Sequence, residues 1–249
     1  MHNFKNRIHN SSKTAKIILA NDYINNKKML HDIINNINVL GDYLCGVKIN
    51  FHVLLPMCPK DLIKINKNAH KLNLQSIADI KLNDIFDTNK IVIKLLHELE
   101  FDAVIVNPIM GSKNLEDTTN FAHDYNMGII SICHLSSLHS SLLYDSKITF
   151  ENKTEVLHEL FLNLAIKNNV DGVVIGATFP NIITNCKNNI KNKLDIYSPG
   201  IGIQGGNVNK TISAGADFLI VGRTIINSQN QINTVTKIKS EIENTFNLR

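Results

Sequence analysis

Residues 74–99, LQSIADIKLNDIFDTNKIVIKLLHEL, contain in one stretch the pattern that decides the fold. The first eight residues are rich in apolar and β-branched types, as a buried strand requires, and they end in charged residues. A polar turn follows, and apolar residues then recur with the three-to-four-residue spacing of an amphipathic helix. The stretch therefore predicts one strand followed by one helix.

The same alternation continues along most of the chain. Seven further β-rich runs are KIILAND (16–22), GVKINF (46–51), AVIVNP (103–108), GIISICHLS (128–136), GVVIGAT (172–178), LDIYSPG (194–200) and FLIVGRTI (218–225). Helical patterns separate most of them, for example HDIINNIN, PKDLIKINKNAHKL, KTEVLHELFLNLAIKN and INTVTKIKSEIENTF. Eight strand–helix units in 249 residues predict a single-domain (β/α)₈ barrel of the α/β class. A doubly wound open sheet is the alternative.

The ends and loops of the pattern give the domain boundaries. Residues 1–15 are polar and lack apolar periodicity, so we predict an N-terminal tail before a barrel domain of residues 16–249. The weakest predicted helix is NVNKTISAG, between the last two strands. The segment 137–150 is long and unpatterned, and it follows a strand end, where barrels carry active-site loops. It is therefore predicted to cover a substrate.

The composition is that of a globular protein, with 43% hydrophobic and 19% charged residues, which excludes a disordered tail, a collagen-like repeat and a disulfide-stapled mini-protein. Basic and acidic residues are interspersed, which indicates a solvated surface and no nucleic-acid-binding stripe. The four cysteines have neither C-x-x-C pairing nor metal-like spacing, and no run approaches the ~18 apolar residues of a membrane span. We expect a cytoplasmic protein with no metal site and no membrane partner.

Charged residues occur in or just after the first three predicted strands. Lys48 lies in an apolar strand, where an ammonium group needs a carboxylate. Asp79 and Lys81 are two residues apart and so face the same side of the next strand. Lys48, Asp79 and Lys81 therefore predict a charge cluster at the C-terminal end of the barrel, where Asp22 also ends the first strand, and a structural ion-pair network is the alternative. Asp84 follows in the next loop, where an N-cap of the helix is the alternative to a functional role.

A glycine-rich turn, SPGIGIQGG (198–206), precedes Arg223 by one predicted strand. Glycine-rich turns let backbone N–H groups approach an anion closely, and barrels often bind phosphate with the loops after their last two strands. The planar guanidinium of Arg223 suits bidentate contact with phosphate. These features predict a phosphate site. His52, His134 and His139 lack consistent partner spacing and are expected to be surface or core residues.

Three strings resemble the orotidine 5′-phosphate decarboxylase family in its archaeal form. They are DIKLNDIFDTN (79–89), which resembles D-x-K-x-x-D-I-x-x-T-N, the turn SPGIGIQGG, which resembles the family's phosphate loop, and IVGRTI (220–225). The resemblance extends from residue 16 to about residue 227. It implies a (β/α)₈ barrel that works as a homodimer, in agreement with the strand count.

The resemblance also implies the reaction, which converts orotidine 5′-phosphate to uridine 5′-phosphate (UMP) and CO₂ as the last step of UMP biosynthesis, without a cofactor. Asp22 and Lys48 would hold the ribose hydroxyls, Asp79 would lie beside the substrate carboxylate, and Lys81 would donate a proton to C6. The catalytic set implied is Lys48, Asp79, Lys81 and, from the neighbouring subunit, Asp84. The remaining substrate contacts implied are Ile85 and Thr88 from the neighbouring subunit, Ser136 and Pro199 at the pyrimidine, and Gln204, Gly222 and Arg223 at the 5′-phosphate.

The sequence departs from the family pattern in places. The family usually reads S-H-P-G where this chain has SSLH (136–139), and Phe179 replaces the Arg of a T-R-P string. Phe86 and Asp87 stand where small residues or Pro are common, which bears on the dimer contact.

Two other functions are alternatives. A Mg²⁺-dependent sugar-phosphate decarboxylase or lyase of the same superfamily would share D-x-K-x-x-D, although SPGIGIQGG argues against it. A non-catalytic phosphate or nucleic-acid binder would agree with the pI of 8.8.

Overall fold

Eight parallel strands hydrogen-bond in chain order and close into a barrel, within the residues that the computed structural model describes, 3–13, 15–22, 28–137, 139–150, 153–190 and 193–247. The strands are β1 (Ile17–Asn21), β2 (Gly46–Asn50), β3 (Gln75–Leu82), β4 (Ala103–Val106), β5 (Gly128–His134), β6 (Lys147–Phe150), β7 (Lys153–Val156), β8 (Gly172–Ile175), β9 (Asp195–Pro199) and β10 (Phe218–Val221). Strands β6 and β7 form a separate antiparallel hairpin. The other eight coincide with the predicted runs, so the (β/α)₈ prediction is confirmed.

Helices connect the strands and surround the barrel. They are α1 (Asn3–Ser11), α2 (Met29–Leu40), α3 (Phe51–Leu54), α4 (Pro59–Lys71), α5 (Phe86–Glu98), α6 (Ser112–Asp124), α7 (Ser141–Tyr144), α8 (Leu157–Lys167), α9 (Pro180–Ile190), α10 (Val208–Ala214), α11 (Arg223–Ile226) and α12 (Gln231–Asn247). Short 3₁₀ turns occupy Gly41–Tyr43 and Pro108–Met110. The weakest predicted helix is present as α10. Within the described ranges, every helix is too short or too polar to cross a lipid bilayer.

The alternation of side chains along each strand divides the apolar residues into two clusters. Ile18 and Ile220 belong to the cluster that fills the barrel, whereas Ile17 and Leu219 pack against the surrounding helices. Large side chains close the barrel interior, including the fully buried Tyr197. Polar groups that must meet a ligand are therefore confined to the open C-terminal ends of the strands.

The predicted tail is wrong for residues 3–11, which form helix α1. Phe4 and Ile8 lie one helical turn apart and are fully buried in the cluster inside the barrel. The Phe4 ring packs against Gly128 at the start of β5, where an added Cβ would fall 2.1 Å from a ring carbon. The helix thus closes the N-terminal end of the barrel. Residues 1, 2 and 14 of the predicted tail lie outside the described residues.

Ion pairs fix α1 to the strands above it. Arg7 Nη2 lies 3.1 Å from Asp102 Oδ1, and Arg7 Nε donates to Gln75 Oε1 at 2.9 Å. The other oxygen of Asp102 lies 2.8 Å from His70 Nε2. The hydrogen bond to Asp102 raises the pKa of His70 above its usual value. These contacts give a polar helix a defined position under the barrel.

The segment between β5 and α8 has more structure than the sequence predicts. Helix α7 lies within it, and the predicted helix that begins at Lys153 begins instead at Leu157. Its first four residues form β7, which pairs with β6 and places the Oγ1 atoms of Thr149 and Thr154 3.0 Å apart. The role of this insertion as a substrate cover stays a prediction.

We expect Phe4→Ala to lower the free energy of unfolding by about 3–5 kcal/mol, because it empties a fully buried site that only a large side chain fills. Urea unfolding followed by circular dichroism measures the change. Asn6→Ala, at an exposed position of the same helix, is the control and should have little effect. Equal unfolding midpoints for the two variants would show that α1 does not close the barrel.

Candidate active site

The C-terminal ends of β1, β2 and β3 bring charged residues into one row. The strand register pairs Ala20 of β1 with Lys48 of β2, and Asn50 with Asp79 of β3. Lys48, which is 3% exposed, points from β2 toward both carboxylates of the row. Its Nζ lies 2.7 Å from Asp79 Oδ2 and 3.9 Å from Asp22 Oδ1. The predicted charge cluster is therefore present.

Asp79 is the centre of this cluster. Its Oδ2 accepts a hydrogen bond from Lys48 Nζ at 2.7 Å, and its Oδ1 accepts one from Lys81 Nζ at 2.8 Å. Burial alone would raise the pKa of Asp79, but the two lysine charges and their hydrogen bonds outweigh it and hold the pKa below its usual value. The carboxylate therefore stays ionised between two ammonium groups.

The backbone of Lys81 adopts an unusual conformation. Its φ of +49° lies in the left-handed region, which costs a non-glycine residue roughly 1–2 kcal/mol. The pairing of β3 with β4 shifts register between Ala78 and Leu82, so the chain bulges on either side of Lys81. This bulge lets Asp79 and Lys81 meet at the cavity although the strand is ending. The Lys81 side chain remains 47% exposed and can reach a ligand.

A tight turn after β9 forms the opposite wall. Gly200 has a φ of +101°, and an added Cβ there would fall 2.9 Å from Gln204 Oε1. The turn is closed by the Gly206 N–H, which donates to the Gly200 carbonyl at 2.9 Å. Thr224 of α11 ties the turn to the segment that follows β10, since its hydroxyl donates to the Ile201 carbonyl at 2.8 Å. Arg223 begins α11 beside this turn.

Ser136, after β5, lies between the two walls. Its hydroxyl donates to Gln204 Oε1 at 3.0 Å, and its carbonyl accepts from Thr178 Oγ1 at 3.2 Å. The Phe179 ring, which stands where the resemblance leads one to expect Arg, packs 4.2 Å from the His134 ring. His134 itself is fully buried, as expected of a core histidine. The Ser136 loop is thus held on both sides despite its departure from the family string.

One cavity unites these groups. Nine of the residues singled out from the sequence line it, namely Asp22, Lys48, Asp79, Lys81, Ser136, Pro199, Gln204, Gly222 and Arg223. Asn50 and Thr224 also line it and were not singled out. Alternation along β2 could have identified Asn50, because it lies two residues after Lys48 and faces the same side. The cavity can hold an anion at one end and a group that develops negative charge beside Lys81.

Asp84, Ile85 and Thr88 are not among the described residues that line the cavity, and all three are exposed. The helix-cap alternative for Asp84 is wrong, because Ile85 occupies the N-cap of α5. Asp84 Oδ1 accepts instead from the Ile85 N–H at 2.7 Å, and the Asn89 side chain bonds the Asp84 backbone. These residues therefore project outward from a single chain.

The comparisons with known proteins agree with this geometry. A profile of the Orotidine 5′-phosphate decarboxylase / HUMPS family matches residues 15–238. The orotidine 5′-phosphate decarboxylase of Pyrococcus abyssi is 31% identical over 201 residues, which are 81% of this chain and 88% of that protein. The enzyme of the same name from Methanosarcina barkeri is 33% identical over 170 residues, which are 68% and 72% of the two chains.

Solved structures show the same architecture. The crystal structure of orotidine 5′-phosphate decarboxylase from Pyrococcus horikoshii has a TM-score of 0.72 and 27% identity, and the match covers 91% of this chain and 99% of that one. The Methanocaldococcus jannaschii enzyme, complexed with the inhibitor BMP, has a TM-score of 0.77 and 23% identity, and the match covers 92% and 99% of the two chains. At 23% identity, the similarity to the Methanocaldococcus jannaschii structure shows the fold alone.

We expect Asp79→Asn to lower the free energy of unfolding at pH 7 by about 3 kcal/mol, because Lys48 then stays buried without its nearest counter-charge. The folded-state pKa of Asp79 lies below its unfolded value, so the carboxylate stabilises the fold above the unfolded pKa. That contribution is lost as the pH falls through the folded-state pKa. The difference between wild type and variant should therefore shrink in acid, as urea unfolding at several pH values will measure.

Asp117→Asn is the matched control, because it breaks an exposed ion pair of 2.7 Å with Lys113. Solvent screens this pair, so its loss should change stability little. If the two variants unfold at the same urea concentration at pH 7, Asp79 is not the counter-charge that the buried lysine needs.

Proposed function

Because the chain belongs to the orotidine 5′-phosphate decarboxylase / HUMPS family, we propose that it converts orotidine 5′-phosphate to UMP and CO₂, the last step of UMP biosynthesis. The observation that carries the proposal is Asp79 held between Lys48 and Lys81 in a cavity whose other wall is the glycine-rich turn with Arg223. The chain is a carboxy-lyase.

The ends of the cavity correspond to the parts of the substrate. Gln204, Gly222 and Arg223 bind the 5′-phosphate, since the guanidinium and the backbone of a glycine-rich turn suit an anion. Asp22, just after β1, and Lys48, in β2, hold the ribose hydroxyls. Ser136 and Pro199 contact the pyrimidine. The hydrogen bond from Ser136 to Gln204 supports this arrangement, because it links the pyrimidine and phosphate contacts.

The chemistry requires fixed charges. Loss of CO₂ from C6 leaves an electron pair in the plane of the pyrimidine ring, where the π system cannot delocalise it. The Lys81 ammonium stabilises this charge and then donates a proton to C6. Asp79, beside the substrate carboxylate, repels it in the ground state, and the repulsion disappears as neutral CO₂ leaves. The two lysines hold Asp79 ionised, so these charges are in place before the reaction begins.

The alternative is a Mg²⁺-dependent reaction on a sugar phosphate, which would form an enediolate. Decarboxylation at C6 as described here requires no metal, flavin or pyridoxal cofactor. Treatment with EDTA separates the two functions, because only the Mg²⁺-dependent reaction would be lost. The relatives from Pyrococcus abyssi and Methanosarcina barkeri are orotidine 5′-phosphate decarboxylases, which supports the first function.

The active unit is a homodimer in which Asp84, Ile85 and Thr88 of each chain enter the partner's site. Their outward position on one chain supports this. Apolar side chains are also exposed after β2 and β3. Phe51 and Leu55 follow β2 and are 53% and 69% exposed, and Ile85 follows β3 and is 59% exposed. Large exposed apolar side chains at the ends of two adjacent strands support an interface at this face.

The reaction takes place in the cytoplasm. The free thiols of Cys133 and Cys186, whose sulfur atoms lie 4.0 Å apart, support a reducing compartment.

We expect wild-type protein to decarboxylate orotidine 5′-phosphate at an equal rate with and without EDTA. The loss of the substrate's ultraviolet absorbance measures this rate. Lys81→Ala should lower kcat by about 10⁴-fold or more, since it removes charge stabilisation and the proton donor together. UMP should still bind to this variant in calorimetry. Lys113→Ala, which removes a lysine paired with Asp117 on the surface, is the control and should keep full activity.

Activity of Lys81→Ala within tenfold of wild type would refute the role of Lys81. A wild-type protein that EDTA inactivates, or that leaves orotidine 5′-phosphate unchanged, would refute the proposed function.

We expect two inactive variants, Lys81→Ala and Asp84→Asn, to restore activity when they are unfolded together and refolded in equal amounts. Random pairing makes about half of the dimers mixed, and each mixed dimer has one site built wholly from intact residues. Activity per subunit should therefore return to about a quarter of the wild-type value, by the same statistics. Each variant refolded alone is the control.

Native mass spectrometry of the refolded mixture will measure whether mixed dimers have formed. If they are present and inactive, Asp84 serves its own chain and the shared site is refuted.

A further inference from the structure

Asn50 occupies a central place in the row of polar residues at the cavity. The strand register sets it directly beside Asp79, and the pairing of Asn21 with Ile49 brings Asp22 to its other side. The Asn50 amide therefore lies between the carboxylate of Asp22, just after β1, and that of Asp79 in β3. The charge cluster of Lys48, Asp79 and Lys81 does not by itself account for this residue.

The two ends of the Asn50 amide make different hydrogen bonds. Nδ2 donates to Asp22 Oδ1, and Oδ1 accepts from Lys48 Nζ. Lys48 Nζ and Asp22 Oδ1 are themselves 3.9 Å apart, beyond hydrogen-bond distance. The amide closes this gap, because it can donate to a carboxylate and accept from an ammonium at the same time.

The position of Asn50 in the chain makes this use of its side chain notable. Asn50 is the N-cap residue of α3, where an asparagine usually accepts a hydrogen bond from the helix backbone. Asn207 does so at the start of α10, where its Oδ1 accepts from the Lys210 N–H at 2.9 Å. Asn50 makes no such bond to the described backbone. Its amide is directed to the cavity instead.

Asp22 is restrained from a second direction. An added Cβ on Gly222 would fall 2.8 Å from Asp22 Oδ2, so this oxygen packs closely against Gly222. Asn50 holds the other oxygen. The Asp22 carboxylate is thus fixed between Asn50 and Gly222, one of the proposed phosphate contacts.

We propose that Asn50 is a positioning and specificity-determining residue, which holds Asp22 and Lys48 in the arrangement that recognises the ribose hydroxyls. The inference rests on the proposed function, since the ribose belongs to orotidine 5′-phosphate and UMP. It predicts that Asn50 governs the preference of the site for a ribonucleotide over a 2′-deoxyribonucleotide.

The experiment compares binding of UMP and 2′-deoxyuridine 5′-phosphate by calorimetry and measures KM and kcat for orotidine 5′-phosphate. Wild type should prefer UMP. Asn50→Ala should reduce that preference by about tenfold or more, the effect of losing a hydrogen bond to a charged group. KM should rise more than kcat falls, because Lys81 and Asp79 still make their own contact.

Asn50→Asp keeps the shape of the side chain but places an oxygen against Asp22 in place of the N–H donor. It should lose the preference as fully as Asn50→Ala, whereas a residue that only fills space would tolerate it. Asn50→Asp also provides the test if Asn50→Ala fails to fold. The control Asn207→Ala removes a helix cap outside the cavity, and it should lower Tm without changing the preference.

Wild-type KM and wild-type preference in both Asn50 variants, with wild type active, would overturn this inference alone. A wild-type protein that neither binds UMP nor decarboxylates orotidine 5′-phosphate would overturn it together with the proposed function.

Discussion

The ammonium of Lys48 lies in a barrel filled almost entirely by apolar side chains, and this buried charge determines much of the structure around it. A lone cation there would be prohibitively costly, so Asp79 must lie beside it. Asp79 is itself buried and takes a second cation, Lys81, on its other oxygen. Lys81 reaches Asp79 because the end of β3 bulges and the backbone of Lys81 adopts a left-handed conformation. The buried ammonium of Lys48 in β2 is thus linked to the conformation of the end of β3 and to the cavity wall that these strands form.

Carboxylates also lie at the opposite end of the barrel, where they have a different role. Asp102, Asp171 and Asp217 each accept a hydrogen bond from the backbone N–H of a neighbouring strand. Each also faces a basic side chain from a helix. Their bonding capacity is used within the fold, so these groups hold strands and helices together. Lys81 at the C-terminal end is half exposed and keeps donors for a ligand. The two groups of charges therefore differ in how much of their hydrogen-bonding capacity the fold itself uses.

The sequence predicted the features that follow local rules. The period of two along a strand predicted that Asp79 and Lys81 meet, although it did not predict the bulge through which they do so. The cost of burying Lys48 predicted a carboxylate beside it. Helix α1 was missed because Phe4 and Ile8 are only two apolar residues in a polar stretch, and burial comes from the barrel that they close. The preference of the chain for a helix at residues 3–11 depends on that tertiary contact.

Two other features depend on contacts between separate elements, which local sequence patterns do not reveal. The hairpin of β6 and β7 includes Lys153–Val156, which continues the helical pattern of α8 but finds a strand partner in Lys147–Phe150. Asn50 had the right alternation, but an asparagine at the end of a strand is usually a turn or cap residue. Its partners, Asp22 and Lys48, come from two strands and become evident only when the barrel closes.

The left-handed backbone at Lys81 has a consequence for the stability of this chain. The strain acts in every state of the folded protein, with or without ligand, and about 1–2 kcal/mol is a sizeable part of the stability of a domain. Glycine adopts this conformation freely, so Lys81→Gly would relieve the strain but would also remove the ammonium group that Asp79 Oδ1 binds. Backbone strain and the ion pair with Asp79 therefore contribute to stability with opposite signs at one residue.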